Sequence, residues 1–329
     1  MDEVLDGLSA QMREGFQVDP AALGEHPRYS QFKNLAKVAE QQQLRRQERL
    51  LKQKEGRSEK IMKLRKLAFD DTNSDEEAEK AENSEHGAHT YRDASQRAKR
   101  KKYADQLMLS EWLVDIPEAL SSDWTMVIAP IGKRALVVAS KGSTIAYNKA
   151  GRQLAQFQSN LPGGNSRGKN QSWTILDCIY HNQTYFVLDL LTWNAHEYAE
   201  NPYDFRQFML QSKLNENPEL ASPSSGFRNA FVSPPKCRCS REEMSKLMSM
   251  EIKWHIDGLL FYHNSVIYEP GQSPLVGWLK PWMLPEILNV PIPERYGQES
   301  KGQTPAQYIE SYNQKHKHHS KIDKAMEED

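Results

Sequence analysis

The stretch WTMVIAPIGKRALVVASKGSTIAYNKAG, from Trp124 to Gly151, decides how the rest of the chain is read. Trp124 to Ala129 is apolar and β-branched, Gly132 breaks the run, and Ala135 to Ala139 is apolar again before Lys141-Gly142-Ser143 supplies turn residues. Apolar runs bounded by such residues predict two or three short strands in a buried hairpin. Working outward, Trp173 to Ile179 and Tyr185 to Leu191 predict a second strand pair with Asn182-Gln183 at its turn. Ile256 to Tyr262 and Pro274 to Pro281 read as two later strands. Ahead of the hairpin, Gln106 to Leu113 reads as an apolar helix ending before Pro117, and after the second strand pair Asp204 opens a helix to Leu214. A third helix follows Ser240, whose hydroxyl and Glu243 have capping-box spacing.

The chain has 329 residues and a formal net charge of −1, which allows one large domain or two small ones plus tails. Its apolar fraction of 38% is low for a wholly packed chain, so part of it is expected to be disordered. Three cysteines, Cys178, Cys237 and Cys239, cannot make a disulfide framework, and no basic-then-apolar leader opens the sequence. A reducing compartment, cytosol or nucleus, is therefore expected. Cys237-Arg238-Cys239 has no second cysteine pair and no histidine at ligand spacing, so neither a metal nor a cofactor is expected.

The near-neutral total hides a segregation of charge. Between Lys37 and Lys66 there are eleven basic residues against four glutamates, within a helix expected from Leu35 to Phe69. From Glu40 to Lys60 its apolar side chains are Leu44, Leu50 and Leu51, too few for a stripe that packs on a core. An acidic protein surface, RNA or simple solvation would each suit it. From Asp70 to Glu85 the sign reverses in a run with hardly an apolar residue, a flexible acidic linker. Val4, Leu5, Leu8, Met12 and Phe16 have helical spacing, which fits either a helix on the body or a docking peptide. Arg97 to Lys102 is a nuclear localisation peptide, an RNA path or a solvated helix start. The organisation expected is an amphipathic segment at 1–24, a basic segment at 25–69, an acidic linker at 70–96, a folded domain at 97–293 and a disordered polar tail at 294–329.

Ala129-Pro130-Ile131-Gly132-Lys133-Arg134 resembles the Lys-x-Asp-Gly-x-Arg motif of capping and ligase nucleotidyltransferases, with Ala129 at the lysine position and Ile131 at the aspartate. Alanine cannot attack a phosphate, and Lys133 lies about 13 Å further along a strand. Leu176-Asp177-Cys178, Tyr185 to Leu191, Asp257-Gly258-Leu259-Leu260-Phe261 and Trp278-Leu279-Lys280-Pro281 follow in the order of that superfamily's later motifs. The resemblance implies an α+β fold: a guanylyltransferase- or ligase-like domain of antiparallel sheets with flanking helices, preceded by a mostly disordered region with a long basic helix. It implies no catalytic residue, since the nucleophile and a metal-binding carboxylate are replaced.

The body from Tyr103 to about Val290 carries Leu107 to Leu113, Gly132 to Leu136, Leu161-Pro162-Gly163-Gly164, Asp257 to His263 and Pro274 to Leu279. With these motifs it is similar to the snurportin family of import adaptors, and the segment Arg28 to Leu67 resembles an importin-β-binding domain. The resemblance implies a trimethylguanosine-cap pocket, with Trp278 as stacking platform and Trp112 and Leu109 as apolar wall. Core packing is the plain alternative for Trp112 and Leu109. Ser110 is implied at the base or its neighbour, and Arg134 and Lys149 at the triphosphate bridge. Arg28, Arg45, Arg46, Arg49, Lys52 and Arg65 are implied contacts of importin-β. The amphipathic start resembles a segment recognised by the nuclear export receptor. The partners implied are capped small nuclear RNA in its ribonucleoprotein, importin-β and the export receptor, in a chain shuttling between cytoplasm and nucleus. The alternatives are a general RNA-binding protein or an active capping or ligase enzyme.

Overall fold

The computed structural model describes residues 35–53, 102–166, 172–224 and 226–314. The amphipathic start, Arg28, Arg65, the acidic linker and the residues beyond 314 lie outside the described residues. In chain order the elements are α1 (Leu35–Lys52), β1 (Met108–Trp112), β2 (Trp124–Pro130), β3 (Lys133–Ser140), β4 (Ser143–Tyr147), β5 (Gln153–Phe157), β6 (Trp173–His181) and β7 (Thr184–Trp193). They continue with β8 (His196–Glu197), α2 (Tyr203–Glu216), β9 (Ala230–Val232), β10 (Lys236–Arg238), α3 (Arg241–Ser249), β11 (Ile256–His263) and β12 (Gly271–Leu279). A last helix, α4, spans residues 305–314.

The strands form two sheets and an α+β fold. One has the order β1-β12-β11-β2-β10; the other has the order β5-β4-β3-β6-β7-β8, with β9 joined to β7. Pairing is antiparallel except where β1 runs parallel to β12 and β9 to β7. The hairpin expected from Trp124 onward is split: β2 and β3 are sequence neighbours in different sheets, and β3 pairs with β4 and β6. The turns joining β3 to β4, β6 to β7 and β7 to β8 all need left-handed backbone at their two central residues, as primed hairpin turns do, and the last has it at Asn194 and Ala195 with φ of 49° and 67°. Lys141 and Gly142 supply it with φ of 49° and 78°, and Asn182 and Gln183 with 44° and 61°.

The near-continuous apolar runs have a simple cause: the central strands are covered on both faces. Successive strand residues point to opposite sides. Val127 and Ala129 of β2 and Leu136 and Val138 of β3 share the core between the sheets with Ile175, Leu188, Leu260 and Tyr262. Met126 and Ile128 turn to the other side of the first sheet, under Met244, Leu247 and Met248 of α3 and under Trp282, Leu284 and Ile309. Ala135, Val137 and Ala139 turn outward in the second sheet, under Leu210 of α2 and Leu220. Each such valine, leucine, isoleucine or methionine side chain contributes about 1.5–3 kcal/mol by leaving water, and each alanine methyl well under that.

Three expectations are corrected. Gln106 to Leu113 is not a helix: Met108–Trp112 is an edge strand. An apolar run this short has no decisive period, and the free edge of β12 supplies its hydrogen bonds. Residues 294–314 are folded rather than a disordered tail, with Tyr296 and Ile309 buried. The basic helix does pack on the body without an apolar stripe. Leu44 and Leu51 stay exposed, while Gln42 and Arg46 are buried against polar groups of β1, β12 and Asp115, and Gln53 accepts from the Ile267 amide between β11 and β12.

Candidate functional site

The site grows from the irregular edge of the first sheet. β1 and β12 pair in register at Met108 to Ser110, then the register jumps so that Ser110 faces Ser273 and Glu111 faces Gly277. Pro274, Leu275 and Val276 bulge out of the pairing, as a residue without an amide hydrogen encourages. Beyond the bulge Trp112 is in register with Trp278. Two indoles are thereby brought to neighbouring positions on one edge.

A cavity of about 280 Å³ opens here, lined by Ser110, Glu111, Trp112, Arg134, Leu260, Gln272, Trp278, Tyr312 and Asn313. Trp278 is half-buried and seated by Gly258: a Cβ on Gly258 would overlap Cζ2, Cη2 and Cε2 of its indole. The Lys280 ammonium lies 5.8 Å from the Trp278 ring centroid and is fixed by an ion pair of 2.7 Å to Asp257. Trp112 is held edge-on by Tyr312, with centroids 5.3 Å apart, and by Tyr308 at 6.1 Å.

Arg134 reaches the cavity from the second sheet. Its Nε and Nη2 donate to the Asp177 carboxylate at 2.6 and 2.8 Å, and Nη2 donates to the Met108 carbonyl at 3.2 Å. Tyr268 also donates to Asp177, at 2.8 Å. Burial by itself lowers the Arg134 pKa, and the Asp177 carboxylate together with the Tyr262 and Tyr268 hydroxyls more than offsets it, leaving the pKa raised. This guanidinium is a fixed, permanent positive charge tied to the strand that precedes the cavity.

Four of the six residues expected at the pocket, Ser110, Trp112, Arg134 and Trp278, line this cavity. The other two do not line it. Lys149 is exposed on the turn after β4, and Leu109 packs against the core between the sheets. Glu111, Leu260, Gln272, Tyr312 and Asn313 were not anticipated. Glu111 stood inside the quoted motif, but no spacing rule marks a glutamate between a serine and a tryptophan. Tyr312 and Asn313 arrive on a helix from a segment expected to be disordered.

Of the arginines expected to meet a receptor, Arg45, Arg46 and Arg49 are all engaged with the body. Arg45 donates to both oxygens of Glu111, at 2.6 and 2.8 Å. Arg46 pairs with Asp115 at 2.7 Å, donates to the Pro274 carbonyl at 3.3 Å and lies 5.4 Å from the Trp124 ring centroid. Arg49 pairs with Glu269 at 2.6 Å. Cys237 and Cys239 are pushed away from thiolate character by burial, Cys237 up to about 12.

Among solved structures, the chain resembles the ligase domain of LigD from M. tuberculosis at 14% identity and a TM-score of 0.36, covering 52% of this chain and 59% of that one. A mycobacterial DNA ligase D complexed with ATP and MES gives 14% identity and a TM-score of 0.34, covering 52% and 58%. The chain thus spans less than two thirds of the length of these ligases. A family model described as Snurportin1 matches residues 26–66. Another, described as Snurportin1, m3G cap-binding domain, matches residues 106–281 and takes in Ser110, Trp112, Arg134 and Trp278. Since that match covers more than half of the sequence, the chain belongs to the snurportin-1 family and carries its m3G cap-binding domain.

Proposed function

We propose that the cavity beside β1 and β12 receives the trimethylguanine of the cap on spliceosomal small nuclear RNA, and that the basic segment 25–69 hands the particle to importin-β. Family membership makes the chain a cap-binding nuclear import adaptor, a non-enzymatic role. The assignment of roles to residues rests on one observation above the others: Trp278 and Trp112 stand in register beside a cavity of about 280 Å³.

Methylation at N7 makes guanine cationic, and a cationic ring stacks strongly on indole, by roughly 1–3 kcal/mol. Trp278 is the platform. Two methyl groups on the exocyclic amine remove its donors, so they suit the aromatic wall of Trp112 and Tyr312 better than a carboxylate. Ser110 bonds the base edge. Arg134 donates to the phosphates, and Lys149 and Leu109 act from outside the cavity wall, at the bridge and beneath the wall. Arg28, Arg45, Arg46, Arg49, Lys52 and Arg65 meet importin-β, and residues 1–24 meet the export receptor that returns the adaptor to the cytoplasm.

Nucleotide transfer of the capping and ligase type uses a lysine nucleophile, and among the described residues lining the cavity there is no lysine. Ala129, at the position of the superfamily lysine, is fully buried in β2 and pairs with Gly258, while Lys133 sits exposed at the start of β3. This supports a site that holds a nucleotide without reacting with it.

The test is bridging. Immobilised trimethylguanosine-capped RNA should retain importin-β only when this chain is present, and free trimethylated cap dinucleotide should release both proteins. Equal retention on uncapped RNA would overturn the adaptor reading in favour of general RNA binding.

A further inference from the structure

The basic helix is docked where an import receptor would need it free, and its docking reaches into the cavity. Glu111 lines that cavity with its side chain only 3% exposed. Both of its oxygens are taken by Arg45, and Gln42 Nε2 lies 3.4 Å from Oε2. The same Gln42 amide donates to the Trp112 carbonyl at 2.9 Å, and its oxygen accepts from the Asp115 amide at 3.1 Å and from Arg46 at 3.0 Å. Arg46, itself buried, donates to the carbonyl of Pro274 in the bulge that separates Ser110 from Glu111 in register. The helix therefore grips both strands at the point where their pairing breaks.

The charges decide the sign of the effect. Among the described residues lining the cavity, the charged side chains are Glu111 and Arg134. Arg134 is balanced by Asp177, and Glu111 by Arg45. With α1 docked the wall is neutral. With α1 withdrawn, an uncompensated carboxylate faces a ligand whose phosphates outnumber the single positive charge on its base, and both repulsion and desolvation then act against binding.

We infer that helix α1 is a working part of the cap site: Arg45 and Gln42 are positioning residues that neutralise Glu111 and fix Trp112, so that helix docking and cap binding strengthen each other. This rests on the cap reading of the cavity and adds a consequence to it. A receptor that captures Arg45, Arg46 and Arg49 must first strip them from Glu111, Asp115 and Glu269. Linkage is reciprocal, so cap and receptor weaken each other by one common factor. The adaptor bears both loads, each less tightly than it bears one.

The experiment uses the full chain and trimethylated cap dinucleotide, followed by tryptophan fluorescence. Arg45→Ala should weaken the cap roughly tenfold, a typical size for such coupling, and more at low salt than at high. Arg45→Ala with Glu111→Gln should regain most of the loss, because no charge is then left uncompensated. A helix that merely packs gives no such rescue. Hydrogen exchange supplies a second readout: amides 44–52 should slow when the dinucleotide is added. Equal cap affinity of the wild type and Arg45→Ala, or a loss that Glu111→Gln leaves untouched, overturns the inference and leaves the cap reading standing. A wild-type chain that binds no cap dinucleotide overturns the cap reading, and this inference with it.

Discussion

Adding a single methyl group at Gly258 should remove the platform on which the cap stacks. The backbone of β11 passes directly beneath Trp278, and an alanine Cβ there would overlap three atoms of the indole. Gly258 does not have positive φ, so the substitution brings no backbone strain and its effect is steric. The indole must swing aside or the strands must part; overpacking of this kind costs about 1–3 kcal/mol of stability. A displaced platform forfeits a stacking contribution of roughly 1–3 kcal/mol, which is about five- to 150-fold in cap affinity. The assay is urea unfolding and cap-dinucleotide titration of four proteins: wild type, Gly258→Ala, Trp278→Ala and the double variant. In the Trp278→Ala background there is nothing left to strike, so the stability cost of Gly258→Ala should nearly vanish. An equal cost in both backgrounds would refute the reasoning and assign Gly258 to the backbone of β11 rather than to the indole.

Other outcomes follow from the same geometry. Arg206 and Asp189 form an ion pair of 2.7 Å with side chains 0% and 1% exposed, so Arg206→Ala, which strands a buried carboxylate, should cost about 3–5 kcal/mol in urea unfolding. Burial pushes the Lys236 ammonium down to about 8. The unfolded chain then binds more protons between about 8 and the ordinary lysine value, so stability should rise with pH across that window and be lost on the way down. Lys236→Met should flatten the rise in Tm measured from pH 7.5 to pH 10. Tyr312→Ala should weaken the trimethylated cap several-fold while Tyr312→Phe does not, since the wall it forms against Trp112 is made by its ring.

Much of the scaffold was legible because it obeys short-range rules. The pair β6 and β7 announced itself through two apolar runs and an Asn-led turn, and Ser240 does cap α3 by accepting from the Glu243 amide at 3.2 Å. Only half of that capping box is as expected, for the Glu243 carboxylate accepts from Arg238 instead. What sequence reading missed depends on distant partners. Whether Met108–Trp112 is strand or helix is decided by β12, more than 150 residues away in sequence. The docking of α1 depends on Glu111, Asp115 and Glu269, each an ordinary carboxylate until the fold gathers them. An absent apolar stripe argued against packing, yet the guanidinium groups of Arg45 and Arg46 and the Gln42 amide are held on the body by charge-assisted and neutral hydrogen bonds, with Leu50 beside them against the core. In the site itself the motif residues Ser110, Trp112, Arg134 and Trp278 were readable one by one. Their shared wall with Tyr312 was not, because nothing in a polar tail marks one tyrosine as facing a cavity.

The most direct test of the central claim is tryptophan fluorescence titration of the full chain with trimethylated and monomethylated cap dinucleotides, beside Trp278→Ala. The account predicts strong quenching by the trimethylated cap, much weaker quenching by the monomethylated one, and loss of the response in Trp278→Ala. Equal quenching by both caps, or a response that survives removal of Trp278, would contradict it.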